Sequence, residues 1–351
     1  MVFLLAVAGV GGCSPSPPLG VVSDLRFKDE APGAGLDHLL VSGGREKLSI
    51  VENIGTGVAL LDADGDGHLD LFLANGGRIN EGRVTPGPGL ALYLQVPASG
   101  RFEEASGRLG LDFDGWATGV AVGDYDNDGD LDIFLGCWGP DRLWENRDGR
   151  FVETGKVAGV AHDGLTTSAV FLDYDLDGKL DLYVASYLKF DLADLPNDGQ
   201  PCIEGGARVA CGPGFYEPEP DRLYHNEGSG RFRLVSPGAG MGGAEGGYGL
   251  GLAVDDFNLD GLPDIYVAND TTGNYLWLNE GGGKFTDGAL MAGASLSSEG
   301  QGQAGPGRGR QGQAGRDGTP SPDGLRMVRG WQLPVWGRCL AGWREEAEEG
   351  K

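Results

Sequence analysis

GVAVGDYDNDGDLDIFLGCWGPDRLWENRDGRFVETG, residues 119–155, contains a short apolar strand, an aspartate-rich loop, a second strand and a hairpin. In the loop Asp124, Asp126, Asp128 and Asp132 stand at positions 1, 3, 5 and 9, Gly129 at position 6 and Asp130 at position 7. Carboxylates at alternate positions of a tight turn converge on one point. Glycine at position 6 permits the bend, and position 7 offers its backbone carbonyl, as hard-cation loops of the EF-hand kind require. The flanks AVGDY and LDIFL are apolar over only a few residues, so the loop joins strands rather than helices.

The same code recurs three times. Asp62, Asp64, Asp66 and Asp70 surround Gly67, with His68 at position 7. Asp173, Asp175, Asp177 and Asp181 surround Gly178, with Lys179 at position 7; Asp256, Asn258, Asp260 and Asp264 surround Gly261, with Leu262 there. Aspartate and glycine also make ordinary turns. A turn gains nothing from crowding like charges, however, and four such loops would repel themselves without a cation. Ca²⁺ suits an all-oxygen, carboxylate-rich cage better than Mg²⁺, and about four ions, one per loop, are expected.

The chain has 351 residues, a formal charge of -25 and 66 glycines. Much of the acidity sits in the loops. The remaining negative charge argues against nucleic acid or an anionic membrane surface as partner, since both require a basic face. Many short strands with Gly-rich turns point to one all-β assembly with an ample core.

Residues 1–13, MVFLLAVAGVGGC, read as a signal peptide, and Val10-Gly11-Gly12-Cys13 has the form of a bacterial lipobox whose Cys13 would carry lipid. Residues 14–23 are a linker with three prolines near its start. Export follows, to the cell envelope or outside it. Phe27 then aligns with Phe102, Phe151, Phe232 and Phe285 as the head of a fourth strand, so the N-terminus begins on an orphan strand able to complete another blade's sheet.

Each unit runs strand, cage, strand and hairpin, which gives four strands per unit, the count of a propeller blade. Tyr93, Trp144, Tyr224 and Trp277 fall at one register and are expected to pack between blades. The longest insertion, residues 189–220, holds Cys202 and Cys211, spaced for a local disulfide; Cys137 reads as a small buried apolar side chain. His38, His68, His162 and His225 are scattered, and a zinc site beside the two cysteines is disfavoured because the nearest histidine, His225, lies in a hairpin with no partner at ligand spacing. No nucleophile elbow or nucleotide loop is present, so the chain is expected to be a non-enzyme. Residues 299–351 lose strand periodicity and read as a low-complexity or frame-shifted tail.

LDADGDGHLDLFLANG, GDYDNDGDLDIFLG, LDYDLDGKLDLYVAS and DDFNLDGLPDIYVAND, with hairpins of the LYHNEGSGRF type, resemble the FG-GAP or VCBS repeats of extracellular β-propellers such as integrin α subunits. More narrowly, Cys211-Gly212-Pro213 ahead of that hairpin resembles the bacterial relatives of cartilage acidic protein associated with an ASPIC/UnbV domain. The resemblance covers residues 24–298. It implies an all-β fold, a β-propeller of four-stranded blades with Ca²⁺-binding DxDxDG loops, incomplete in this chain. It also implies a monomeric binding or adhesion module for protein or glycan. The alternatives are a polysaccharide-lyase-like enzyme on the same propeller and a purely structural envelope repeat.

Overall fold

Short apolar segments bounded by Asp/Gly loops bury their side chains by pairing into sheets and stacking those sheets face to face. The computed structural model describes residues 28–80, 83–241 and 246–296. A short helix α1 (Ala31–Ala34) leads into the first blade, built from β1 (Val58–Leu61), β2 (Asp70–Leu73), β5 (Ala91–Val96) and β6 (Arg101–Glu104). Between β2 and β5 a hairpin intervenes, β3 (Gly77–Asn80) and β4 (Arg83–Pro86). Helix α2 (Ser106–Leu109) connects to the second blade, β7 (Trp116–Gly123), β8 (Asp132–Pro140), β9 (Arg142–Asn146) and β10 (Phe151–Glu153). After α3 (Gly155–Ala158) the third blade comprises β11 (Asp163–Leu172), β12 (Asp181–Ser186), β15 (Arg222–Gly228) and β16 (Arg231–Leu234). Its insertion holds the hairpin β13 (Cys202–Glu204) and β14 (Ala207–Val209). Helix α4 (Ser236–Ala239) precedes the fourth blade, β17 (Gly249–Asp255), β18 (Asp264–Asn269), β19 (Tyr275–Gly281) and β20 (Lys284–Asp287).

The result is an all-β, curled series of four-stranded antiparallel blades, an incomplete propeller. All strand pairings within blades are antiparallel and follow chain order, with the hairpins β3–β4 and β13–β14 inserted between the second and third strands of blades one and three. Blades two and three are also joined directly, the end of β8 pairing with the start of β11 through Leu165 and Trp138. The first strands of successive blades meet along the axis. There Thr118 Oγ1 donates to the Thr166 carbonyl and Thr167 Oγ1 to that of Gly249 (2.7 Å). A β-bulge lies at this level in β7, β11 and β17.

Three apolar clusters fill the spaces between blades, and each contains the aromatic that the hairpin register singled out. Trp144 packs with Leu61, Phe72 and Leu92 of blade one; Tyr224 with Phe134 and Leu143 of blade two; Trp277 with Leu172 and Tyr183 of blade three. Tyr93 is likewise buried, and its hydroxyl donates to Asp37 (3.0 Å). The inter-blade expectation therefore holds for Trp144, Tyr224 and Trp277. The middle blades are covered on both faces, and every residue of β12 is buried, whereas β17 is only half-buried along most of its length.

Helices α1 to α4 each end on a left-handed glycine, Gly35, Gly110, Gly159 and Gly240. A Cβ there would come within 2.6 to 3.1 Å of the carbonyl oxygen of Phe102, Phe151, Phe232 or Phe285 respectively. One helix end thus rests on the outer strand of the following blade, and only glycine allows the approach. Because α1 makes this contact with blade one, residues 31–35 occupy the place of the end of a preceding blade. The strand expected around Phe27 lies outside the described residues, as do the signal, the linker, Cys13 and the 299–351 tail.

A second joint is polar. Asn146 Nδ2 donates to the Ala63 carbonyl (3.1 Å), Asn226 Nδ2 to that of Tyr125 (2.7 Å) and Asn279 Nδ2 to that of Tyr174 (2.7 Å). In each case a side chain at or near the end of the third strand of one blade reaches position 2 of the preceding blade's loop. All three amides are buried, so losing one leaves carbonyls unsatisfied. Asn226→Ala is expected to cost about 1–3 kcal/mol, read as a lowered urea midpoint with circular dichroism of the folded state unchanged. An unaltered midpoint would show that the joint contributes nothing.

Candidate metal centres

The four loops connect the first and second strands of their blades, so they share one rim. Their internal bonding is nearly superimposable. At position 1, Asp62 accepts the N–H groups of Asp66 and Gly67, Asp124 those of Asp128 and Gly129, Asp173 those of Asp177 and Gly178, and Asp256 those of Asp260 and Gly261, at 2.8 to 3.1 Å. The position 5 carboxylates of Asp66, Asp128, Asp177 and Asp260 each accept the N–H of position 7, His68, Asp130, Lys179 and Leu262. The chain is thereby wrapped around its own acidic side chains.

Position 6 glycines take positive φ, as their place in the code requires. Position 4 does too, in Gly65, Asn127, Leu176 and Leu259. Leucine is costly there, and Leu259 is 87% exposed, so neither packing nor propensity explains it. Strain kept at the tip of a loop accords with a geometry that the rest of the loop over-determines.

Position 9 has a role the sequence did not disclose. Asp70, Asp132, Asp181 and Asp264 are buried, and each uses both oxygens. One accepts the position 2 N–H, from Ala63, Tyr125, Tyr174 or Phe257 (2.9 to 3.3 Å). The other accepts an N–H of the third strand, from Gln95, Asn146, Asn226 or Asn279 (2.7 or 2.8 Å). These aspartates clamp loop to sheet while remaining on the edge of the cage.

Oxygens of Asp62, Asp64 and Asp66 lie within 4.8 Å of one another, as do those of Asp124, Asp126 and Asp132 and those of Asp173, Asp175 and Asp177. Asp126 Oδ1 is out of contact with solvent and accepts no hydrogen bond, an orphaned anionic oxygen that a cation would satisfy. The donor set, carboxylate and carbonyl oxygens alone, fits Ca²⁺. In the fourth loop Asn258 replaces a carboxylate and bonds to Asp260 through both its amide nitrogen and its oxygen (2.9 and 3.0 Å). His68 turns its ring toward Asp66 (3.2 Å), and Lys179 Nζ bonds to Asp177. Asp130, whose carboxylate accepts the Asp148 N–H (2.8 Å), points to the hairpin beside its loop.

One neighbour was invisible in the sequence. His225, on β15, places Nδ1 3.2 Å from Asp181 and 3.5 Å from Asp175, so the expectation that this histidine lacks a partner at ligand distance is corrected. Spacing along the chain could not show it, because the contact depends on the pairing of β12 with β15. Cys202 and Cys211 form a disulfide, and Cys137 is buried as a free thiol, its pKa raised by burial.

Burial dominates the electrostatics of the clamps. It pushes Asp132 up to about 8 and Asp181 up to about 7, against the pull of their backbone hydrogen bonds, and raises Asp70 and Asp264 as well. Asp126 is raised by burial and then by Asp128 and Glu145. Asp177 is lowered by its hydrogen bond from Lys179.

A sequence profile described as FG-GAP-like repeat matches residues 62–135, 124–184, 209–267 and 256–305. No curated protein is matched. Solved structures similar to the chain include an Agrocybe aegerita lectin, described as recognising non-reducing terminal N-acetylglucosamine. It is 16% identical over 65% of this chain and 50% of its own, with a TM-score of 0.36. The rhamnogalacturonan lyase YesW is 13% identical over 71% of this chain and 52% of its own, with a TM-score of 0.27. The chain spans about half the length of both.

In metal-free protein, the raised carboxyls hold protons that the unfolded chain releases near pH 4. The folded state binds more protons between about pH 4 and pH 8, so this contribution to stability is lost as pH rises through that window. A cation favours the ionised form and opposes the loss. The rise in melting temperature on adding Ca²⁺ is therefore expected to be larger at pH 8 than at pH 5 in calorimetric scans; equal shifts would contradict it.

Proposed function

The chain belongs to the family of FG-GAP-like repeats, and from that footing we propose that it is an exported, Ca²⁺-stabilised propeller that binds a protein or glycan partner without chemically transforming it. The observation that carries the proposal is the fourfold repetition of one loop geometry on one rim, three of the loops bringing together carboxylate oxygens that self-repulsion would otherwise drive apart. Ions held there by Asp62, Asp64, Asp66 and Asp70 and their counterparts, with the backbone carbonyl of position 7, would neutralise charge and lock position 2, on which the next blade rests. Affinities of about 10⁻⁴ to 10⁻³ M suit an extracellular module.

Partner contact is assigned to the opposite rim. β12 runs away from its loop, and the 189–220 insertion follows its far end, stapled by the Cys202–Cys211 disulfide. That bond suits an oxidising compartment and supports export. At the insertion's base Trp138, Phe190 and Tyr216 form a row of ring contacts, with centroids 5.0 and 5.9 Å apart, beside a cavity of about 470 Å³. Half-buried rings edged by carboxylates suit either a sugar face or a peptide side chain. The Cys211-Gly212-Pro213 turn within the insertion supports the narrower likeness to cartilage-acidic-protein relatives. Among the described residues no helix is long and apolar enough to cross a membrane; the lipobox-like Val10-Gly11-Gly12-Cys13 supports attachment through a lipid on Cys13.

Melting in Ca²⁺ against chelator tests the metal, because a ligand bound only by the folded state raises stability by mass action. At 100 times the dissociation constant one site is worth about 2.7 kcal/mol. Asp124→Ala with Asp128→Ala should cut the Ca²⁺ shift, and a midpoint indifferent to metal stripping would overturn the reading. Glycan and surface-protein arrays test the partner. Any hit should weaken in Trp138→Ala, whereas glycan depolymerisation by the purified protein would overturn the binding-only role.

A further inference from the structure

The residue preceding the third-strand amide differs from blade to blade: Leu94, Glu145, His225 and Leu278. In blades one and four it is apolar. In blade two Glu145 is engaged by Arg147 (Nε to Oε1, 2.5 Å). In blade three it is an imidazole whose Nδ1 lies 3.2 Å from Asp181 Oδ1 and 3.5 Å from Asp175 Oδ2. One ligand atom from each of Asp175, Asp181 and His225 lies within 4.8 Å of those of the other two. Nδ1 is shielded from solvent and makes no hydrogen bond, so a strongly polar atom sits among anions with its capacity unused. The ring is held edge-on to Tyr174, with centroids 6.0 Å apart.

The same loop is weakened as a hard-cation cage. Its position 5 carboxylate, Asp177, is taken up by the Lys179 ammonium, which removes about one negative charge from the field. None of the other loops carries lysine at position 7. Nitrogen donors suit zinc-like ions, whereas Ca²⁺ takes oxygen. Neighbouring ligands of a tetrahedral ion with bonds of about 2.0–2.1 Å stand roughly 3.3 Å apart. The two observed separations from Nδ1 bracket that figure.

We propose that the third loop is a mixed carboxylate–imidazole site, with Asp175, Asp181 and His225 as ligands, and that it takes a d-block divalent ion of the Zn²⁺ type in preference to Ca²⁺. The inference rests on reading the loops as cation cages, and it sets this loop apart from the other three. One blade joint would then answer to a different metal from its neighbours.

The test uses the full-length protein in excess Ca²⁺, titrated with Zn²⁺ by calorimetry and with Co²⁺ by visible absorption. One Zn²⁺ or Co²⁺ per chain is expected, with low-coordinate Co²⁺ absorption. His225→Leu, which installs the residue of blade four, should lower the affinity about tenfold or more and leave the Ca²⁺-dependent melting shift in place. If that variant misfolds, His225→Asn provides the same comparison. Absence of Zn²⁺ and Co²⁺ binding, or binding that survives His225→Leu, as an ion held by His68 and Asp66 would, overturns the proposal. Loss of all Ca²⁺ effects with the His225-dependent Co²⁺ site intact overturns the Ca²⁺ reading and supports this one.

Discussion

Buried carboxylates at position 9 are the constraint on which the rest of the structure depends. Each spans two backbone segments that strand pairing alone leaves apart, the loop at position 2 and the end of the third strand. Such charge-assisted bonds are strong, but they are bought at the cost of taking a charge out of water. The raised pKa of Asp132 and Asp181 records that cost. A cation held at the cage would offset it by restoring the preference for the ionised form.

Position 2 turns a local loop into an interface. Its N–H goes to the clamp and its carbonyl to the asparagine of the next blade. Its side chain packs on the next blade's outer-strand phenylalanine, as in the Tyr125–Phe232 and Tyr174–Phe285 contacts, 5.5 and 5.8 Å between ring centroids. Blade two's hairpin glycine, Gly149, also lies against Asp64 of the first loop. Anything that orders a loop therefore orders a blade boundary. Coupling of this kind is nearest-neighbour, as in repeat proteins, and a change in one cage should be felt first at the adjacent joint.

The two rims differ in make-up. Loops and hairpin turns crowd the acidic rim, where variation would break a joint. At the other rim the strand ends gather around Trp116, Leu165, Tyr187 and Tyr248, and the 189–220 insertion extends from it. A buried knot beneath them, in which Arg222 Nη2 reaches Asp141 (3.1 Å) and Thr166 (2.7 Å), ties blade three to blade two and gives the insertion a firm base. Rigid scaffold under variable loops is the usual setting for recognition.

The sequence by itself determined the repeating unit. A five-position Asp/Gly code, period-two apolar strands, one aromatic register and a cysteine pair are all local patterns, written within a few residues of the structure they specify. The blades, the shared rim of loops, the inter-blade aromatics and the Cys202–Cys211 bond follow from them. The hairpin β3–β4 was missed because it is short and lacks strong alternation. What only the tertiary structure decided lies across strands and across blades: the double use of position 9, the asparagine joint, the left-handed leucines and the approach of His225 to Asp175 and Asp181. Those contacts join residues 14 to 105 positions apart, or depend on backbone torsion at a single residue, and neither spacing nor composition encodes which distant side chain a folded sheet will bring near.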